Sequence, residues 1–128
     1  MNTPNLNTFL KNHQEQFMSQ NIPELLNQIF AKKKISKASL AKLSGMSEIY
    51  LHQIFAGKRN PSRNRLLCLC YGLEASLEET QELLKSCGHA QLYPRLKRDA
   101  IIIFGIVHKV PLYEINDKLF AENEETLC

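Results

Sequence analysis

Two short apolar-periodic segments joined through Gly45-Met46-Ser47 constrain this chain more than any other feature. SKASLAKLS (36–44) opens at a serine and stops at Gly45, and SEIYLHQIFA (47–56) opens at a serine and stops at Gly57. A serine before such a run caps a helix, because its hydroxyl accepts from a backbone N–H that has no partner inside the helix. A glycine after the run supplies the positive φ with which helices end. Each segment is therefore predicted as a helix of about two turns. Leu40 and Ala41 in the first face inward, the small Ala41 allowing a close crossing, and Leu51 and Ile54 pin the second to a core. That leaves Glu48, Ile49, Tyr50, His52 and Gln53 for its outer surface.

The remaining pattern is helical too. Leu6, Phe9, Leu10, Phe17 and Met18 predict a helix over about 5–19. Asn21 and Glu24 have capping-box spacing, with Pro23 suited to a first turn. Ile22, Leu25, Leu26, Ile29 and Phe30 then form one stripe that runs into Lys32–Lys34, a favourable charge at a helix C-terminus. Ser62 can cap a helix whose face is Leu66, Leu67, Leu69, Cys70 and Leu73, weakened near its end by Gly72. Ser76 with Glu79 forms another capping box before Leu77, Leu83, Leu84 and Cys87.

The C-terminal third echoes the helix pair before it. Shifted by 35 residues, 66–84 lies over 101–119: Leu77, Glu79, Leu84 and Leu92 meet Leu112, Glu114, Leu119 and Leu127. The run IIIFGIV is β-branched and alone would suit a strand. The echo predicts a helical hairpin instead, over 94–108 and 112–122, entered through Tyr93-Pro94. The final ENEETLC is expected to fray. The expected architecture is all-α, with an N-terminal helix and linker (1–21), a helical bundle (22–92) and a C-terminal helical hairpin (93–128).

Charge is unevenly spread. The whole chain carries a net +3, but residues 31–65 hold nine lysines and arginines against Glu48 alone, a net +8. Such a block beside an acidic remainder is the footprint of a polyanionic partner. Other classes find little support. The longest apolar run, AIIIFGIV, has eight residues where a membrane span needs about 20. The N-terminus has neither the basic nor the apolar region of a signal peptide, so a cytoplasmic location is expected and no membrane partner. Cys68, Cys70, Cys87 and Cys128 contain no Cys-x-x-Cys pair, and residues two apart do not face each other on a helix. Cys68, Cys70 and Cys87 are expected as core thiols in a reducing compartment, and no metal is expected. His13, His52, His89 and His108 show no metal-binding spacing. No glycine-rich phosphate loop or nucleophile motif appears, so neither an enzyme nor a cofactor is expected.

LAKLSGMSEIYLHQIFAGKRNPS resembles the lambda-repressor-like (Cro/XRE-type) helix-turn-helix family. The marks are Leu40-Ala41, Gly45-Met46-Ser47, Tyr50-Leu51, Ile54, Gly57-Lys58-Arg59 and Pro61-Ser62, and the resemblance covers about residues 22–87. It implies a five-helix bundle and transcriptional regulation through double-stranded DNA. By position, Glu48, Ile49, His52 and Gln53 on helix 47–56 would meet base edges in the major groove. Lys37, Ser47, Tyr50, Lys58, Arg59, Asn60 and Arg63 would meet phosphate. Gln53 suits adenine, Glu48 suits cytosine N4 and Ile49 suits a thymine methyl. A homodimer on a palindrome is expected, because one module reads few base pairs.

The chain also departs from the family pattern. Lys37 stands where many relatives have Gln, Phe55 where many have Glu, and an acidic and an apolar residue stand at 48 and 49. An exposed Ile49 and Phe55 would suggest a dry contact. Two alternatives therefore stand beside the regulator: a protein-binding adaptor on this frame, with the C-terminal hairpin as a possible partner surface, or the antitoxin of a toxin–antitoxin pair.

Overall fold

Four serines set helix starts. Ser36, Ser47, Ser62 and Ser76 each lie in extended backbone and accept the N–H three residues on, at 3.1–3.3 Å. At Ser76 the reciprocal bond from its own N–H to Glu79 Oε1, 2.9 Å, completes the capping box. The structure, a computed structural model, describes Leu6 and residues 22–128. Its helices beyond Leu6 are α1 (Ile22–Ala31), α2 (Lys37–Leu43), α3 (Glu48–Phe55), α4 (Arg63–Leu73), α5 (Leu77–Ser86), α6 (Lys97–Val107) and α7 (Leu112–Ala121). No strand occurs among the described residues, so the fold is all-α there. The helix expected over 5–19, Leu6 apart, and the cap at Asn21 lie outside the described residues.

Helix α4 is the hub. It is buried from Leu66 to Leu73 and packs against α2, α5 and α7. Gly72 is the reason α2 lies so close to it. A Cβ at Gly72 would collide with Ser44 Oγ and stand 3.1 Å from Leu40 Cδ1. Gly72 was expected as a weak point near the helix end, yet its role is to admit a neighbouring helix. The helix ends one residue past Leu73, where Glu74 takes a left-handed φ of 51°. α1 lies across α3 and α5, burying Ile22, Leu26 and Ile29. One hydrophobic core runs from Ile22 to Leu127 and includes Ile102, Ile106, Ile115 and Leu119 of the C-terminal hairpin. IIIFGIV is therefore helical, and the hairpin covers α4 instead of standing apart: the Tyr71 hydroxyl donates to Ile102 O at 2.7 Å.

The echo in the sequence is a structural repeat, α4–α5 followed by α6–α7. Leu92 N donates to Gln81 Oε1 at 2.7 Å, and 35 residues on Leu127 N donates to Asn116 Oδ1 at 2.8 Å. Arg63 Nε donates to Ala90 O and Arg98 Nε to Glu125 O, both at 2.8 Å. Glu74 and Lys109 share a positive φ (51° and 55°), as do Gly88 and Asn123 (76° and 60°). The two units also clasp reciprocally. Arg63 Nη2 reaches Asp99 Oδ2 at 3.2 Å, while Arg98 Nη2 reaches Asn64 Oδ1 at 3.0 Å. Positions 63 and 64 of one unit thus meet 99 and 98 of the other, the signature of a local two-fold axis.

The last residues do not fray as expected. Leu127 is 3% exposed, and the tail is held by Arg98 on the carbonyls of Glu125 and Thr126. Asn116 and the Cys68 thiol hold the two backbone groups of Leu127. The composition of ENEETLC signals none of this, because the partners, Cys68, Arg98 and Asn116, come from three preceding helices.

Candidate nucleic-acid interface

The turn between α2 and α3 is built from short-range bonds. Gly45 has φ +65° and donates to Lys42 O, and Met46, 8% exposed, donates to Ala41 O at 3.0 Å. A Cβ at Gly45 would stand 3.6 Å from Leu112 Cδ2 and 3.7 Å from Cys128 Sγ, so the C-terminal repeat backs the turn. Ser47 then caps α3 through Tyr50 N.

α3 is anchored by Leu51, Ile54 and Phe55. Phe55 corrects an expectation, for it is 5% exposed instead of forming an outer contact. Its ring meets Phe30 edge-on, centroids 5.5 Å apart at 72°, and Lys37 Nζ lies 4.9 Å from its centroid. The two aromatic rings and the cation form one cluster, edge-to-face between the rings and cation–π at Lys37. An apolar side chain suits this position because α1 lies over it. Lys37 is thereby held at the start of α2, beside α3.

Outward, α3 presents Glu48, Ile49 and His52, with Ile49 73% exposed. Lys37, Ile49, His52, Gln53 and Lys58 gather around an open hollow of about 450 Å³ floored by Phe55 and Ala56. On the other flank of α3, Ser47, Tyr50, Lys42 and Arg65 line a second hollow. The structure therefore brings the base-facing candidates and most phosphate-facing candidates onto one surface.

Arg59 organises that surface. Its Nε donates to Gln53 Oε1 at 2.9 Å, and its guanidinium carbon lies 5.2 Å from the Tyr50 ring centroid. Arg65 approaches the same ring at 5.4 Å. Tyr50 is thus flanked by two guanidiniums, and the Gln53 amide is fixed with its carbonyl oxygen held and its NH2 turned from the brace. Arg65 was not among the candidate residues. Its signal was available, since it belongs to the basic block and follows Ser62 by three residues. Lys58 N closes α3 on Gln53 O at 2.9 Å, and Gly57 has φ +75°. Lys58, Arg59 and Asn60 are exposed.

Arg63 belongs elsewhere. Its guanidinium is committed to Ala90 O, Gln91 O and Asp99, 36 residues away in sequence. Asp99 is 4% exposed and also accepts from Tyr93 N at 3.0 Å. The expected phosphate contact is not what this side chain is placed for: it clasps the two repeats.

Electrostatics leave the surface cationic. The ion pairs among the described residues are Lys32–Glu79, Arg63–Asp99 and Lys97–Glu122. The Lys32 ammonium, 2.7 Å away, together with the cap, holds the Glu79 carboxyl below its usual range. None of the pairs involves Lys37, Lys42, Lys58, Arg59 or Arg65. Glu48, in the first turn of α3, is placed where a helix dipole favours a carboxylate.

Among the described residues, no group of three or more His, Cys, Asp and Glu could hold a metal ion, and no helix is long and apolar enough to cross a membrane. The thiols follow burial. Burial pushes Cys70 up to about 12 and Cys87 to about 11. Compared with family models, curated proteins and solved structures, the chain matches none.

Proposed function

We propose that the chain is a sequence-specific DNA-binding transcriptional regulator of lambda-repressor-like architecture, with α1–α5 as its bundle and α3 inserted in the major groove. The observation that carries this is the placement of α3. It buries Leu51, Ile54 and Phe55, turns Glu48, Ile49 and His52 outward, and has cationic side chains along both flanks. A helix about 10–12 Å wide with its side chains fits a major groove about 12 Å wide. Cations beside it meet the phosphates on either bank, which position the protein while the exposed residues read sequence.

The bracing of Gln53 favours reading over mere adhesion. With Oε1 held by Arg59, its NH2 is aimed to donate to a purine N7, and the second lone pair of Oε1 remains for adenine N6. Glu48 would accept from cytosine N4, and Ile49 would meet a thymine methyl. Lys37, Ser47, Tyr50, Lys58, Arg59 and Asn60 would hold phosphate, joined by Arg65 in place of Arg63. Such a regulator acts in the cytoplasm as a homodimer on a palindrome.

One observation favours a second reading. Ile49, 73% exposed at the centre of the surface, suits a dry protein contact, as an adaptor or a toxin-binding antitoxin would use. Selection of bound duplexes from a random DNA pool decides between them. The proposed function predicts an enriched palindrome with half-sites about one helical turn apart. A folded protein that enriches no sequence would overturn it in favour of the protein-binding reading.

A further inference from the structure

The thiols of α4 meet different partners. Cys70 neighbours Thr80 and Cys87, on the α5 side. Cys68, two positions earlier and so on another face of α4, meets the C-terminal tail. Its single S–H proton is shared between Leu127 O, 3.6 Å away, and the Cys128 sulfur. Cys68 is 1% exposed, whereas Cys128 is open to solvent. Asn116 holds the second sulfur in place: its Nδ2 donates to Cys128 Sγ at 3.1 Å, while its Oδ1 accepts from Leu127 N at 2.8 Å. Arg98 fixes the same tail through Glu125 O and Thr126 O. One buried and one accessible sulfur are therefore kept in contact, across 60 positions of chain, by bonds that neither thiol supplies.

We propose that Cys68 and Cys128 form a reversible disulfide on exposure to a peroxide, with Cys128 as the attacking sulfur and Cys68 as the resolving one. The exposed Cys128 thiolate attacks a peroxide oxygen and the O–O bond breaks. Cys128 becomes a sulfenic acid, and the departing oxygen takes up the proton that Cys128 gave, leaving as an alcohol, or as water from hydrogen peroxide. The Cys68 sulfur then attacks the sulfenic sulfur. The S–S bond forms as the S–O bond breaks, and the departing hydroxide leaves as water with the Cys68 proton. The two thiols together lose two electrons, and one peroxide gains them. Burial, with the Cys128 contact, pushes the Cys68 thiol up to about 12, so it resists peroxide itself and keeps its proton until that hydroxide departs beside it. In a reducing compartment such a bond is transient, which suits a sensor better than a permanent brace. It ties the tail to α4 directly behind the α2–α3 turn, since Cys128 Sγ stands 3.7 Å from the place of a Gly45 Cβ.

The inference stands apart from the reading of α3, because the bond is detected without DNA. Hydrogen peroxide is added in small molar excess to the reduced full chain, the remaining thiols are alkylated in denaturant, and the peptides are mapped by mass. The expected product links Cys68 to Cys128, is lighter by two hydrogen atoms and reopens with dithiothreitol, while Cys70 and Cys87 are alkylated. The linked chain should unfold at a higher urea concentration than the reduced one. Cys68→Ala should lose the link and let dimedone trap a sulfenic acid at Cys128. Cys128→Ser, at an exposed position that leaves the core intact, should keep Cys68 reduced. A folded chain whose Cys128 stays reduced, oxidises beyond sulfenic acid without pairing, or pairs with any thiol other than its own Cys68 would overturn the proposal.

Discussion

Arg63 and Arg98 make one bond twice: each donates from Nε at 2.8 Å to a backbone carbonyl 27 residues further along the chain. Each also reaches across to the other repeat, Arg63 to Asp99 and Arg98 to Asn64. The carbonyls they hold, at Ala90 and Glu125, lie in irregular segments after α5 and α7 that have no ladder to satisfy them. A planar guanidinium suits the task because it donates along several directions at once.

Removing either arginine should have a distinct result. Arg63→Ala strips three bonds and leaves the buried Asp99 with Tyr93 N as its remaining partner. A loss of about 1.5–3 kcal/mol is expected in urea unfolding at neutral pH, the cost of losing hydrogen bonds to charged groups. Arg98→Ala should release residues 123–128, seen as faster amide hydrogen exchange at Leu127, while α1–α5 stay protected. Equal exchange in Arg98→Ala and the unsubstituted chain would show that the tail does not depend on the clasp.

Gly72→Ala should destabilise by about 1–3 kcal/mol, because a Cβ there overlaps Ser44 and presses on Leu40. Ser44 Oγ is buried and, among the described residues, lacks a hydrogen-bond partner. Ser44→Ala alone should therefore cost little, and in combination it should recover part of the Gly72→Ala loss. A double-mutant cycle by denaturant unfolding reads the coupling. Strict additivity would place the crossing of α2 and α4 elsewhere.

Stability should fall in alkali through the buried Cys70 thiol and the half-buried Cys87 thiol. Burial raises the folded pKa of Cys70 from 9.0 to about 12 and that of Cys87 to about 11. A raised pKa means that the folded state keeps the proton which the unfolded chain gives up. The contribution is complete below pH 9, then lost as pH climbs toward the folded values. Burial raises Tyr71 in the same direction. Unfolding free energies measured from pH 7 to 11 should be level with respect to these groups and then decline. Cys70→Ala should decline less steeply, and an unchanged slope in that variant would remove Cys70 from the explanation.

What could be read in the sequence was local. Ser36, Ser47, Ser62 and Ser76 each cap from within three residues, and Gly45 and Gly57 carry the positive φ their positions imply. The exposure of Ile49 follows from helix periodicity alone. What was hidden depends on partners far along the chain. Phe55 is buried because Phe30 meets it, and Arg63 turns away from the surface because Asp99 lies 36 residues later. The repeat was visible in four leucine and glutamate identities, but its clasp was not. Gln81 and Asn116 do the same work with different side chains, and so do Asn64 and Asp99.

The central claim is that the α3 surface binds DNA through phosphate-gripping cations, and the salt dependence of that binding tests it most directly. A mobility-shift titration over a range of salt should give an association constant that falls steeply on a logarithmic plot, because cations at phosphates release condensed counterions. Lys58→Ala should weaken binding and reduce the slope by about one, whereas Arg63→Ala should leave the slope unchanged. A flat salt dependence, or a slope that falls with Arg63→Ala and not with Lys58→Ala, would contradict the account.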